Sequence, residues 1–450
     1  LAEKMDDPVR QARALYILAS VAMFTGDMQR CIEYQKQALD KFQAAGQIRE
    51  VISCLYLASL AHINLGEQAA GKSAAEKAVR LSRQLNDRRQ EATSLRRLGI
   101  TLESQQKTSE ALELFRAALA MHREVGDRAE ECNALNALAS ALVELGRLEE
   151  ARQYYLEGLE LAETINQDMA LGMIVSNLVS NYHQSQGDYQ GGLELLEQQL
   201  QRARNYNEQG LIFTLSRLIT ELQADVGQYT QALSSAKSAL QIAEQRNILR
   251  SRIELLAWGG RLQALLGNFV EAHQLLDTSQ KLAQASEDPE SYSDVYFNAA
   301  YVSWLRQDIE EQRAGLELAR LVSARWKSIK FYYALGFSID MEARLLLALG
   351  DAEAALERSS EAVQTAESQP GFSGLEQVYY THASVLRSCG DQTQAAEYLR
   401  RAYERVMQVA MRLTDENLRR SWLENVRYNR EIIANWENRA PESTPPAPPG

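Results

Sequence analysis

Residues 126–166 read GDRAEECNALNALASALVELGRLEEARQYYLEGLELAETIN, and two apolar stripes within this stretch decide the fold. Leu135, Leu138, Ala139, Leu142 and Leu145 recur at three- and four-residue steps, so they share one side of a helix that stops before Gly146. Ala151, Tyr154, Tyr155, Leu159 and Ala162 form a second stripe, closed by Asn166. Gly126, Gly146 and Asn166 tolerate the left-handed backbone that ends a helix. Small side chains at Ala139 and Ala151 let the two helices approach closely. One such hairpin cannot bury its own stripe and needs neighbours.

The neighbours are present along the chain. The turn inside the hairpin recurs at Gly26, Gly66, Gln106, Gly146, Gly187, Gly227, Gly267, Gln307, Gly350 and Gly390, at 40-residue steps with one of 41 and one of 43. The turn between hairpins recurs independently at Gly46, Asn86, Gly126, Asn166, Asn207 and Asn247.

Counted along each unit, the eighth position holds Ala19, Ser59, Gly99, Ala139, Ser180, Thr220, Gly260, Ala300, Ala343 and Ala383. The twentieth holds Cys31, Gly71, Ala111, Ala151, Gly192, Ala232, Ala272, Gln312, Ala355 and Ala395, with Gln312 the one clear departure. This pattern resembles the tetratricopeptide repeat (TPR), in a long-helix variety whose period exceeds the usual 34 or so residues. Similar repeats occur in Leu-Gly-Asn-repeat polarity scaffolds and in the sensor ends of bacterial ATP-dependent (STAND-type) regulators. The resemblance implies an all-α fold, a right-handed superhelical solenoid of about ten helical hairpins with a C-terminal capping helix.

The expected organisation is a lead-in over 1–11, seven regular repeats over 12–287, three divergent repeats over 288–412, a capping helix over 413–439 and a Pro-rich tail over 440–450. The divergent part gathers ten aromatics into the 46 residues from Tyr292 to Phe337. Phe297, Tyr301 and Trp304 fall at groove-facing positions there, whereas Trp326 and Tyr332 suit the core. A single long helix is expected from 415 to 438, capping the open end of the solenoid. The tail PESTPPAPPG has no means of forming a core and is expected to be disordered. Pro289 and Pro370 fall where the repeat phase places loops, so no proline interrupts an expected helix.

A net charge of −12 argues against a general nucleic-acid or anionic-membrane surface. Cys31, Cys54, Cys132 and Cys389 form no close pair, which reads as buried thiols in a reducing, cytoplasmic setting. No run of 18 apolar residues occurs and the N-terminus lacks a signal-peptide pattern. The start at Leu1, in mid-rhythm, suggests covalent neighbours in a longer chain.

GEQAAGKS at 66–73 satisfies the phosphate-loop pattern letter for letter. That loop needs a strand before it, and here LYLASLAHINL is a first helix of the repeat. A nucleotide-using enzyme through 66–73 is therefore the weakest of three readings. His62, His122, His183, His273 and His382 show no metal-ligand spacing. Neither a catalytic set, a metal nor a cofactor is expected, and the chain reads as no enzyme.

The family lines its groove with the second, fifth, ninth and twelfth positions of the first helices. Those positions here include Arg96, Asn133, Asn136, Asn177, Asn181, Arg217, Glu221, Arg261, Phe297, Tyr301, Trp304 and Arg344. An Asn amide offers a donor and an acceptor to a peptide group, and Arg a fork for carboxylates. The expected function is a protein-interaction module that holds a partner segment, an acidic one suiting the arginines, as a scaffold or a sensor arm. The alternative is a small-molecule sensor, for example of an oligosaccharide, in a transcription regulator.

Overall fold

The computed structural model describes residues 7–24, 27–286, 289–306, 308–329, 331–369 and 371–438. The turn marks Gly26 and Gln307, the loop residue Pro370, the first six residues of the lead-in and the tail 440–450 lie outside the described residues. The described residues form 22 α-helices, of which the first twenty run as sequential hairpins. Two compact units divide the chain, Leu1–Tyr182 and His183–Gly450.

The first unit contains α1 (Pro8–Phe24), α2 (Met28–Ala44), α3 (Ile48–Asn64), α4 (Gln68–Gln84), α5 (Arg88–Glu103), α6 (Thr108–Val125), α7 (Arg128–Glu144), α8 (Leu148–Thr164) and α9 (Asp168–Leu178). Their ends are set by the residues that the sequence marks. Gly146 turns at φ 72° and Asn166 at φ 51°, and Gln106, in the glycine phase, adopts φ 60°. Each left-handed residue lets amides beyond the helix end bond back to its last carbonyls, as Arg147 N does to Leu142 O at 2.8 Å. Small residues then set the helix spacing. A Cβ on Gly99 would lie 2.4 Å from the buried Phe115 ring, and one on Gly71 would lie 3.0 Å from the Ser59 carbonyl.

That contact at Gly71 also settles how 66–73 is used. Gly66 is the left-handed turn after α3, the stretch from Gln68 onwards is helix α4, and Lys72 pairs with Glu76 one turn on at 3.8 Å. A phosphate loop wraps its ligand with non-helical backbone amides, and here those amides are within or capping a helix. Mg-ATP is accordingly expected to leave the melting temperature unchanged. A saturable rise that vanishes in Lys72→Ala would overturn this, since a bound ligand at a hundredfold excess stabilises by about 2.7 kcal/mol.

The fifth repeat departs from the expected register. After α9 the helix widens into a π-helical stretch, Val179–Gln184. This absorbs the one extra residue that makes the Gly146-to-Gly187 step 41. Upstream of it the 40-residue register still holds, so the buried eighth-position residue is Val179, and Ser180 is exposed.

The second unit contains α10 (Tyr189–Asn205), α11 (Gln209–Asp225), α12 (Tyr229–Gln245), α13 (Leu249–Leu265), α14 (Phe269–Ser286), α15 (Pro289–Arg306), α16 (Ile309–Ser328), α17 (Tyr332–Ala348), α18 (Ala352–Glu367), α19 (Leu375–Ser388), α20 (Gln392–Arg412), α21 (Glu416–Glu424) and α22 (Arg427–Glu437). Gln312, at the position reserved for a small residue, is buried at 4% exposure. Close approach of α15 and α16 is made instead at Gly315, where a Cβ would meet Ser303 at 2.7 Å.

Where one helix is expected over 415–438, the chain breaks at Asn425–Val426 into α21 and α22. These do more than cover α20. Tyr229 donates its hydroxyl hydrogen to Asn425 O at 3.3 Å, Asn425 Nδ2 donates to Gly227 O at 3.3 Å, and Gln190 Oε1 accepts from Thr414 N at 2.9 Å. Trp422 lies 5.4 Å from the Tyr189 ring. The C-terminal segment thus returns to the turns that open α10 and α12. Cys31, Cys54 and Cys132 are buried, but Cys389 is exposed, against the expectation of four buried thiols. None of the described helices is long and apolar enough to cross a membrane.

Candidate functional site

In the first unit, α1, α3, α5, α7 and α9 pack in succession, so side chains of neighbouring first helices meet in a continuous row. Arg97 of α5 stacks 3.8 Å from the Tyr56 ring centre of α3, and Arg96 donates to Glu130 of α7 at 2.8 Å. Asn133 Nδ2 donates to the same carboxylate at 3.4 Å. Asn177 Nδ2 donates to Asn136 Oδ1 at 2.9 Å. That pair leaves Asn136 Nδ2 and Asn177 Oδ1 without a partner among the described residues, a donor and an acceptor side by side. Asn181 differs: its Nδ2 donates to the Tyr155 hydroxyl at 3.0 Å, which also lies 3.0 Å from Ser140 Oγ.

Glu103 stands at the twelfth position of the third repeat. Burial pushes its carboxyl up to about 8, with the Glu144 charge adding to the rise, and Glu103 Oε1 makes no hydrogen bond. It is therefore protonated at neutral pH. The linkage sign follows from a folded value above the ordinary one near 4.5. Below 4.5 both folded and unfolded chains hold the proton; between 4.5 and 8 only the folded one does, so stability falls as pH rises and the loss is complete above about 8. Glu103→Gln removes the group, so its melting temperature should gain on the parent's from pH 5 to 8 and hold that lead above. Parallel melting profiles would show Glu103 ionising normally.

In the second unit the predicted residues are spoken for by the protein itself. Arg217 pairs with Glu221 and lies 3.5 Å from Glu254, and burial lifts Glu221 to about 7 against the pull of Arg217. Arg261 stacks 3.9 Å from the Tyr301 ring and 5.1 Å from the Trp258 ring. Tyr301 is 4% exposed, and Phe297 is partly buried against the same core cluster, so neither presents the open aromatic face expected of it. Tyr332, expected in the core, is 38% exposed. Trp304 stands between Arg344 at 5.0 Å and Arg427 of α22 at 4.4 Å. Arg344 is buried, with its Nη2 2.8 Å from Asp340. Burial withdraws Tyr301 and Arg344 from any surface a long segment could touch.

Sequence reasoning passed over Arg97, Glu103, Tyr155 and Arg427. Glu103 obeys the same positional rule as the chosen set and was hidden only by the many solvated acids. Arg261 and Tyr301 are ninth-position residues of successive repeats, so their stacking is legible from a 40-residue offset. Among the described residues no three His, Cys, Asp or Glu side chains gather as a metal site. His62 and His183, equivalent in two repeats, meet Glu67 at 2.6 Å and Asp188 at 2.8 Å.

Tetratricopeptide repeat models match residues 12–40, 52–85, 90–164 and 376–405. These four stretches are tetratricopeptide repeats. No curated protein matches the sequence. Among solved structures, aspartyl phosphate phosphatase F from Bacillus subtilis is 14% identical, with 82% of this chain and 86% of that one covered and a TM-score of 0.44. A STAND protein with a tetratricopeptide repeat sensor, PH0952 from Pyrococcus horikoshii, is 14% identical at a TM-score of 0.39, covering 88% of this chain and 55% of that one. The apo form of RapI is 13% identical at a TM-score of 0.39, covering 54% of this chain and 87% of its own. Repeats of this family typically serve protein–protein interaction, and no catalytic family matches the chain.

Proposed function

We propose that the first-helix row of the first unit holds an extended segment of a partner protein, as the binding arm of a scaffold or a signalling protein. The observation that carries this reading is the Asn136–Asn177 pair, whose unused amide ends offer one donor and one acceptor, as a peptide group requires. Such a contact reads backbone and is indifferent to side chains. Local charge supplies the preference. Arg96 and Arg97 both act on the single Glu130 carboxylate, two cations to one anion, so an acidic segment is favoured despite the acidic whole, because nearby charge decides attraction within a recess.

The test uses peptides selected on the full chain from a random display library. A photo-crosslinking residue in place of Asn133, in the row, should capture a selected peptide, while the same residue in place of the exposed Glu160 on α8 should not. Capture from position 160 alone would move binding to the second helices and end this reading.

A further inference from the structure

We propose that a cavity of about 400 Å³ walled by Trp304, Arg344, Tyr380, Ser384, Arg427 and Glu431 binds a small monocarboxylate. It lies wholly within the second unit, so it is independent of the reading for the first. Its volume is that of a small-ligand site.

The anchor is Arg344, whose side chain is 6% exposed. Nε donates to Thr381 Oγ1 at 3.1 Å, and Nη2 lies 2.8 Å from Asp340 Oδ2 as an ion pair. Asp340 is itself held by Gln377 Nε2 at 3.1 Å. Arg344 Nη1 and Nη2 are both buried, and neither makes a hydrogen bond. A buried charged donor left open is costly, and the cavity is where an acceptor can enter.

Charge fixes the class of acceptor. Arg427 Nε lies 2.9 Å from Glu431 Oε1, so both arginines flanking the Trp304 ring already have a carboxylate. A dianion would bring a second charge that no further open cation meets and would lie against Glu431, whereas a monoanion is satisfied by the open donors of Arg344 alone. A planar carboxylate fits a guanidinium edge, and one of its oxygens meets Nη1. Ile309, Leu347 and Ala348 offer apolar wall for the body of the acid, and Tyr380, whose hydroxyl accepts from Asn435 Nδ2 at 3.1 Å, and Ser384 complete the wall. The acid would also join α17 to α22 through the shared Trp304.

Saturation-transfer NMR on the full chain tests this with hexanoate and benzoate as probes, and with benzamide, inorganic phosphate and acetylated tri-leucine bearing a free C-terminus as comparisons. Expected are dissociation constants of about 1 mM or tighter for the two acids, the range open to so small a ligand. Benzamide and phosphate should bind at least about tenfold more weakly, a difference set by the carboxylate contact. Two variants probe the site. Asp340→Asn combined with Arg344→Met removes the buried pair together, so neither charge is stranded. Ser384→Phe fills the cavity at a half-buried position with the pair intact, and it remains decisive where the double variant does not fold. Each folded variant should lose acid binding at least about tenfold. Silence of both acids on the parent, equal binding of benzamide, or retention in either folded variant would overturn the proposal. Binding of the tripeptide alone would assign the cavity to a chain terminus instead and overturn it equally.

Discussion

Trp422→Ala is expected to destabilise the second unit by about 3–5 kcal/mol, the cost of deleting a large buried aromatic. The indole is 1% exposed, lies 5.4 Å from the Tyr189 ring, and donates its Nε1 hydrogen to Val406 O at 3.1 Å. Deleting it opens a cavity between α10, α20 and α21 and strands the Val406 carbonyl at the end of a buried bond. The exposed neighbour Arg420 serves as the control, and Arg420→Ala should stay within about 0.5 kcal/mol of the parent. Chain truncation after Thr414 goes further. It removes Leu418, Trp422, Val426 and Ile432 from the core and bares the apolar surface they cover. Bared repeat surface self-associates, so the truncated chain should sediment as oligomers. Urea unfolding and sedimentation measure the two effects. A Trp422→Ala midpoint equal to the parent's, or a monomeric truncated chain of unchanged stability, would make α21 and α22 an appendage.

That C-terminal segment marks the boundary of what the sequence makes legible. Its helix content is local information: apolar residues at helical steps, and Asp415 accepting from Leu418 N at 2.8 Å as an N-cap. Its destination is not local. Asn425 meets Tyr229 across 196 positions, and Thr414 meets Gln190 across 224. No periodicity encodes a contact made once. Turns at Gly146 and Asn166 are the opposite case, because a residue that accepts positive φ is chemically distinctive and recurs at the repeat spacing, as at Gly66, Gly227 and Asn207.

The candidate site divides along the same line. Asn136 and Asn177 were legible as polar residues at groove positions. Their mutual bond joins residues 41 apart, whereas upstream of the π-helical stretch the register is still 40, so Asn177 stands one place beyond the equivalent of Asn136. The 41-residue step announces an extra residue without saying where it goes, and taking Ser180 rather than Val179 as the eighth position shifts every earlier assignment in that helix by one. The aromatic repeats misled for another reason. Tyr301 and Trp304 hold positions that the resemblance assigns to the groove, yet Arg261 stacks on Tyr301, and Arg344 and Arg427 of α22 stack on Trp304. Aromatic exposure is a property of what else arrives.

Asn136→Ala with Asn177→Ala should weaken a peptide selected on the full chain by at least about tenfold, because each lost polar contact at a partly buried site costs about 1–3 kcal/mol. Removing both together matters. A single change leaves the other amide free to swing towards the peptide, whereas the pair acts as one donor–acceptor unit through the 2.9 Å bond between the two side chains. Asn181 is the informative contrast. Its Nδ2 is engaged by the Tyr155 hydroxyl, which also contacts Ser140, so Asn181→Ala should cost stability and leave affinity almost unchanged. The double variant should behave the other way, since both side chains are half-buried and truncating both partners of a hydrogen bond strands neither. Calorimetric titration of a selected peptide into the parent and each variant reads the affinities, and thermal melting reads the stabilities. Undiminished affinity in the double variant, with helicity and melting intact, would remove the amide pair from the interface and with it the case for backbone recognition by this row.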